Sequence, residues 1–212
     1  MLATPPVTRR RWIFRRRSVE PGRDRRGRVL DRELVERAQH GDESAFAALA
    51  VRIGNQMYAT AHHILRDTGR AEDAAQQALV DIWRHLPELK DPDKFQAWAY
   101  RIVVRAAYAE ARSRRLWNLR SEARPEDSTF SHDHAARVAD RDQLDRGFRS
   151  LPVDHRAVMV LKHYVGFSNE EIAEALEIPE GTVRSRLHYS LKAMRAALDA
   201  DSRGGSRRGG PA

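Results

Sequence analysis

The 212-residue sequence has no cysteine. Disulfide frameworks and thiolate metal sites are therefore excluded, and a reducing compartment is compatible with the composition. No apolar run approaches the ~20 residues that a membrane-spanning helix needs. The segment from Val7 to Phe14 is too short and too rich in arginine for the apolar core of a secretory signal. A soluble, cytoplasmic protein with no direct membrane insertion is expected. Period-two runs of β-branched and aromatic residues, the mark of strands, are missing, and so is any internal repeat. Carboxylates clustered for catalytic metal ions are missing too. Glu170 and Glu171 are neighbours that suit a helix start, and Asp91 and Asp93 flank a proline. His62 and His63 would point in different directions on a helix, and the pair His132 and His134 with Asp133 lacks further ligands. No metal, cofactor or catalytic residue is expected.

What the chain does have is positive charge. Lys and Arg number 38 against 30 Asp and Glu, a net charge of +8. Such a balance favours a polyanionic partner. Much of the excess lies at the ends. Residues 1–30 carry Arg9, Arg10, Arg11, Arg15, Arg16, Arg17, Arg23, Arg25, Arg26 and Arg28, and residues 201–212 place Arg203, Arg207 and Arg208 among glycines. Neither end has the apolar content to offset chain entropy, so both read as disordered tails.

Between the tails the apolar residues recur with helical spacing, which predicts an all-α protein. A short helix covers Asp31 to Gln39, with Leu34, Val35 and Ala38 inward and Gly41 closing it. Asp42 or Ser44 starts a helix reaching about Arg66, with a stripe of Phe46, Leu49, Ile53, Met57 and Ile64. A third helix runs from about Ala71 to Leu86 and stops at Pro87. Its polar side, with Asp73, Gln76 and Gln77 and the large Trp83, suits either solvent or a protein partner. A fourth helix covers about Asp93 to Arg115. Phe95, Trp98 and Ile102 form one stripe, and Tyr100, Arg101, Arg105 and Tyr108 lie elsewhere on it. Rings interleaved with arginines suit single-stranded nucleic acid, where bases stack and cations meet phosphates. The same rings could belong to a core. Periodicity lapses over residues 116–140, a polar, turn-rich linker, and returns with Leu144, Phe148 and Leu151. A helix from Asp154 to Val165 follows Pro152.

The segment from Ser168 to Leu191 reads as helix, turn, helix. Ser168 and Glu171 have the spacing of a capping box. Ile178 and Pro179 end the first helix. The second starts near Glu180 and carries Val183, Leu187, Leu191 and Met194 on one face. The other face shows Thr182, Arg184, Ser185, Arg186, His188 and Tyr189. A cationic, hydroxyl-rich helix of this kind fits the DNA major groove, where arginine can fork onto guanine O6 and N7. A helical hairpin with a solvated charged face would share this pattern.

Four motifs in order resemble the extracytoplasmic-function (ECF) sigma factors of bacterial RNA polymerase. They are Ala45-Phe-Ala-Ala-Leu49, Glu72-Asp-Ala-Ala-Gln-Gln77 through Trp83, Phe95-Gln-Ala-Trp98-Ala-Tyr100-Arg101-Ile102, and Leu151-Pro152 through Leu187 with Gly181-Thr-Val-Arg-Ser-Arg-Leu187. The resemblance spans about Arg32 to Leu198. It implies two small helical domains joined by a flexible linker. Residues 31–115 would form a region 2 type domain and residues 141–200 a region 4 type helix-turn-helix domain. Asp73, Gln76, Gln77, Leu79 and Trp83 would bind core RNA polymerase, on the coiled coil of β′. Lys90, Phe95, Trp98, Tyr100, Arg101 and Arg105 would engage the minus-ten element as single strand. Thr182, Arg184, Ser185, Arg186, His188 and Tyr189 would engage the minus-35 duplex. Arg184 and Ser185 match base-facing positions, and Thr182 and Arg186 phosphate-holding ones. The implied partners are core RNA polymerase through β′ and β, promoter DNA and an anti-sigma factor. Three positions depart from the family's usual residues. Gln77 stands in place of glutamate, Arg105 in place of asparagine, and Ala109 in place of an acidic residue.

Two other readings compete. A plain helix-turn-helix regulator would bind duplex DNA without polymerase and leave the Asp73–Trp83 helix without a task. A nucleic-acid enzyme would need the carboxylate cluster that is absent.

Overall fold

A computed structural model describes residues 25–120 and 145–205. Every regular element among the described residues is helical, in agreement with the expected all-α class. Helices α1 (Arg25–Gln39), α2 (Glu43–Leu65), α3 (Thr68–His85) and α4 (Phe95–Arg120) form the first unit. Residues 145–150 belong to α5. They are followed by α6 (Val153–Val160), α7 (Asn169–Leu176) and α8 (Glu180–Gly205).

Local chemistry sets the boundaries. Asp42 caps α2: its Oδ1 accepts from Ala45 N at 2.9 Å and from Ser44 Oγ at 2.6 Å. Its Oδ2 accepts from Arg37 Nη2 at 2.6 Å, which ties α1 to the start of α2. These bonds, Ser44 and Ala45 ahead of Arg37, hold the Asp42 carboxyl well below the usual carboxylate range. Gly41, at φ +87°, takes the left-handed turn between the two helices at no Cβ cost. Asp67 caps α3 through Arg70 N at 3.1 Å, so the expected turn from Asp67 to Gly69 is already the start of the helix. Ser168 and Glu171 form the full capping box on α7: Glu171 N donates to Ser168 Oγ at 3.1 Å, and Ser168 N donates to Glu171 Oε2 at 2.6 Å.

Some bounds differ from those expected. Helix α1 is described from Arg25, inside the stretch assigned to the tail, with no proline to interrupt it. Helix α4 is described to Arg120, past the expected domain end, again with no proline in that stretch. Helix α8 is described to Gly205, inside the stretch assigned to the C-terminal tail. The expected helix from Asp154 to Val165 is two pieces. After α6, Leu161–Val165 widens into a π turn, closed by Gly166 at φ +87°. The remainder of the N-terminal tail, linker residues 121–144 with His132 and His134, and residues 206–212 lie outside the described residues.

The core of the first unit is Leu49, Met57 and Ile64 of α2, Ile82 of α3, and Val103 and Val104 of α4, with Val35 of α1 beneath. Each such side chain contributes about 1.5–3 kcal/mol by leaving water. On α3 the inward residues are Ala71, Ala74, Ala75 and Ala78, small enough to let α2 and α4 approach closely. In the second unit Val158, Leu161, Ile172 and Val183 are fully buried where α6, α7 and α8 meet.

The two units touch. Helix α2 packs on α6, and α4 packs on both α6 and α7. One continuous apolar cluster runs from Leu49 and Val104 to Leu161 and Ile172. Tyr100 of α4 meets the edge of Phe167, with ring centroids 5.2 Å apart and planes at 78°. His63 of α2 lies 4.4 Å from Tyr164, centroid to centroid. Burial, ahead of the neighbouring His62 and Arg66, pushes the His63 imidazole below its usual range.

Candidate protein and nucleic-acid interfaces

Helix α3 presents the first surface. Asp73, Gln76 and Gln77 are exposed and Leu79 is half-buried. Gln77 Nε2 donates to Asp81 Oδ1 at 2.9 Å, an i,i+4 bond that holds the amide along the helix. Trp83 is 41% exposed, with part of its ring covered. It lies against Phe46 of α2, centroids 4.5 Å apart. Val80 and Val51 are exposed large apolar residues on α3 and α2. The result is an apolar step with an amide and carboxylate border, the composition of a protein-docking surface.

The second surface lies on α4 and the turn before it. Lys90 is exposed. Phe95 and Tyr100 are 5% and 4% exposed, so in this arrangement both rings belong to the core. Burial, with Tyr164 second, pushes the Tyr100 hydroxyl up to about 12. Trp98 is half-buried, 6.0 Å from Phe95 between centroids. Arg105 is exposed and Arg101 half-buried, and both are paired with the same carboxylate. Arg101 Nη1 donates to Glu177 Oε1 at 2.5 Å, and Arg105 Nη2 donates to Glu177 Oε2. Lys94 Nζ, on the turn into α4, donates to Glu174 Oε1 at 2.5 Å.

The third surface is the start of α8. Pro179 O accepts from Thr182 N at 2.8 Å and from Val183 N, and Val183 anchors the helix in the core. Arg184, Ser185, His188 and Tyr189 are exposed, and Tyr189 presents 60% of its surface. Thr182 is half-buried, and its carbonyl accepts from Ser185 Oγ at 2.9 Å. Arg184 reaches back one turn to Glu180, Nη2 to Oε1 at 3.0 Å. Arg186 behaves differently. It is half-buried and holds Asp154 of α6 at 3.0 Å, so it ties α8 to the body of its own unit. Ser190 completes that seam: its Oγ donates to Arg186 O at 2.6 Å and lies 3.2 Å from His155 Nδ1.

The sequence reading missed Glu174, Glu177, Glu180 and Asp154, the acidic partners of these cations. Only the Glu180–Arg184 spacing of four carried a local signal. Among the described residues, no group of His, Cys, Asp and Glu could hold a metal ion, and no helix is long and apolar enough to cross a membrane.

Comparison with known proteins agrees with these two units. The family profile of sigma-70 region 2 matches residues 49–116, and that of sigma-70 region 4 matches residues 141–194. The chain is thus of the sigma-70 class, with a region 2 and a region 4. RNA polymerase sigma-H factor of Pseudomonas aeruginosa is 32% identical over 182 residues, 79% of this chain and 93% of the relative. ECF RNA polymerase sigma factor SigL of Mycobacterium tuberculosis is 35% identical over 137 residues, 62% of this chain and 76% of the relative. The solved structure of CnrH in complex with the cytosolic domain of CnrY superimposes with a TM-score of 0.59. It has 29% identity and covers 81% of this chain and 99% of that one. The chain belongs to the ECF family of RNA polymerase sigma factors. It is a transcription initiation factor that directs RNA polymerase to promoters and opens them to transcribe a particular set of genes.

Proposed function

We propose that the three surfaces divide this task. The exposed side of α3, with Asp73, Gln76, Gln77, Leu79 and Trp83, docks on the β′ coiled coil. Lys90, Trp98, Arg101 and Arg105 engage the minus-ten element once it is single-stranded. Thr182, Arg184, Ser185, His188 and Tyr189 engage the minus-35 duplex. The observation that carries this division is the placement of two cationic surfaces on different units, α4 on one and α8 on the other. One surface can then read duplex while the other holds a strand, and polymerase makes the second event intramolecular. Arg186 supports the α8 surface from behind through Asp154. Phe95 and Tyr100 support the α4 surface from the core, Phe95 beside Trp98 and Tyr100 against Phe167. Arg105 can only donate, so it favours phosphates and base acceptors over a two-way amide contact. An anti-sigma factor is the inhibitory partner that fits this family. CnrH, captured with the cytosolic domain of CnrY, is a relative of similar fold that carries a protein partner.

Trp98→Ala separates the two DNA roles. Base stacking on an aromatic ring is worth about 1–3 kcal/mol. Holoenzyme carrying the variant is expected to bind the minus-35 duplex normally and to open the minus-ten segment less, read as 2-aminopurine fluorescence within that segment. Full opening by a folded variant would remove Trp98 from this role.

A further inference from the structure

The cations of the α4 surface already have a polyanionic occupant inside the chain. Lys94, Arg101 and Arg105 stand seven and four positions apart, so they line one side of the segment. Opposite them lie Glu174 and Glu177 at the end of α7. Glu174 takes Lys94, and each oxygen of Glu177 takes one arginine. The backbone at Glu177 is unusual. It sits in the left-handed region, φ 54° and ψ 44°, where glycine is favoured. Pro179 bars Ile178 from the helical region, which makes Glu177 the residue that must turn. That turn aims its carboxylate at the arginine pair. The neighbouring contacts, Tyr100 under Phe167 and His63 on Tyr164, are apolar and complete the seam.

We propose that Glu174 and Glu177 form an in-chain competitor for nucleic acid on α4. They latch the helix-turn-helix unit over the minus-ten surface while the protein is free. Two carboxylates stand where phosphates would sit, so strand and latch exclude each other. The ion pairs are at least partly exposed and screened by salt, which keeps the latch weak enough for polymerase and promoter to open it. This proposal rests on the reading of α4 as a nucleic-acid surface.

The absence of cysteine makes the test direct. Glu72→Cys and Arg195→Cys, both at exposed positions, take a donor and an acceptor fluorophore on the full chain. Energy transfer between them is compared in three backgrounds: unaltered, Glu174→Gln with Glu177→Gln, and Glu177→Gly. The glycine variant removes the carboxylate and suits the left-handed turn, so a folding defect is not built into it. Transfer is expected to fall in both variants. Affinity for a fluorescein-labelled, mixed-sequence single-stranded DNA oligonucleotide is expected to rise about fivefold or more at low salt. Unchanged transfer in both variants overturns the latch. A fall in transfer without a gain in affinity overturns the competition. Arg101→Ala with Arg105→Ala, placed in the Glu177→Gly background, distinguishes that failure from failure of the underlying reading. Weakened oligonucleotide binding upholds α4 as a nucleic-acid surface, and unchanged binding sinks both.

Discussion

Replacing Asp73 and Trp83 together by alanine is expected to lower affinity for core RNA polymerase by about 2–4 kcal/mol, or roughly 30- to 1,000-fold. The expectation follows from how Trp83 is held. An exposed tryptophan on a mobile surface loses rotamer freedom when it binds. For Trp83 that loss is smaller, because its ring already packs on Phe46, centroids 4.5 Å apart and planes tilted at 58°, while 41% of the residue stays in solvent. Such a ring is a ready anchor, with Val80 beside it to widen the apolar contact. Asp73 supplies charge on the exposed side of the same helix, where Gln77 is engaged with Asp81. Neither Asp73 nor Trp83 belongs to the buried core, so the helical content and melting of the double variant are expected to stay near those of the parent. Titration against fluorescently labelled core polymerase checks the affinity. Normal affinity in a folded double variant would refute α3 as the docking helix.

Arg184→Ala is expected to cost about 1–3 kcal/mol of minus-35 discrimination, a factor of roughly 5 to 150. Arg184 sits one turn into α8, exposed, with its guanidinium held against Glu180. That contact keeps the fork near the helix start, the part of a recognition helix that meets base edges. Because Val183 and not Arg184 anchors the helix, removing the fork leaves the helix in place. The loss should therefore appear as reduced preference for the cognate over a scrambled minus-35 element, with salt-dependent, non-specific binding little changed. Competition between the two duplexes for holoenzyme measures it. Equal preference in parent and variant would take Arg184 out of base reading.

The fold was legible in the sequence wherever a local rule governed it. Asp42, Ser168 with Glu171, Gly41 and Pro179 mark element ends by chemistry that acts within a few residues, and these ends lie where that chemistry puts them. The helical stripe on α2 was equally readable, down to Leu49 and Met57, but that of α8 only in part: Val183 is buried, whereas Leu191 is exposed and Ser190 takes the buried position. The π turn after α6 was not. It lies where Tyr164 meets His63, a residue on another helix far back in the chain, and no local pattern marks it. The candidate sites divide in the same way. Arg184, Ser185 and the exposed side of α3 follow from helical phase alone. The burial of Tyr100 beneath Phe167 and the pairing of Arg101 and Arg105 with Glu177 depend on contacts between the two units. No spacing rule reaches across that distance. Arg186 illustrates the limit most simply. On a helical wheel it shares the basic side of α8, whereas its position on α6 is set by Asp154, over thirty residues earlier.

The most direct test of the central claim is transcription from genomic DNA fragments by bacterial core RNA polymerase, with and without the purified protein. The account predicts a stable complex with core and defined start sites that core alone does not produce. Their upstream sequences should share two elements spaced for α4 and α8. A protein that fails to bind core yet retains sequence-specific duplex binding would contradict the account and leave a plain helix-turn-helix regulator in its place.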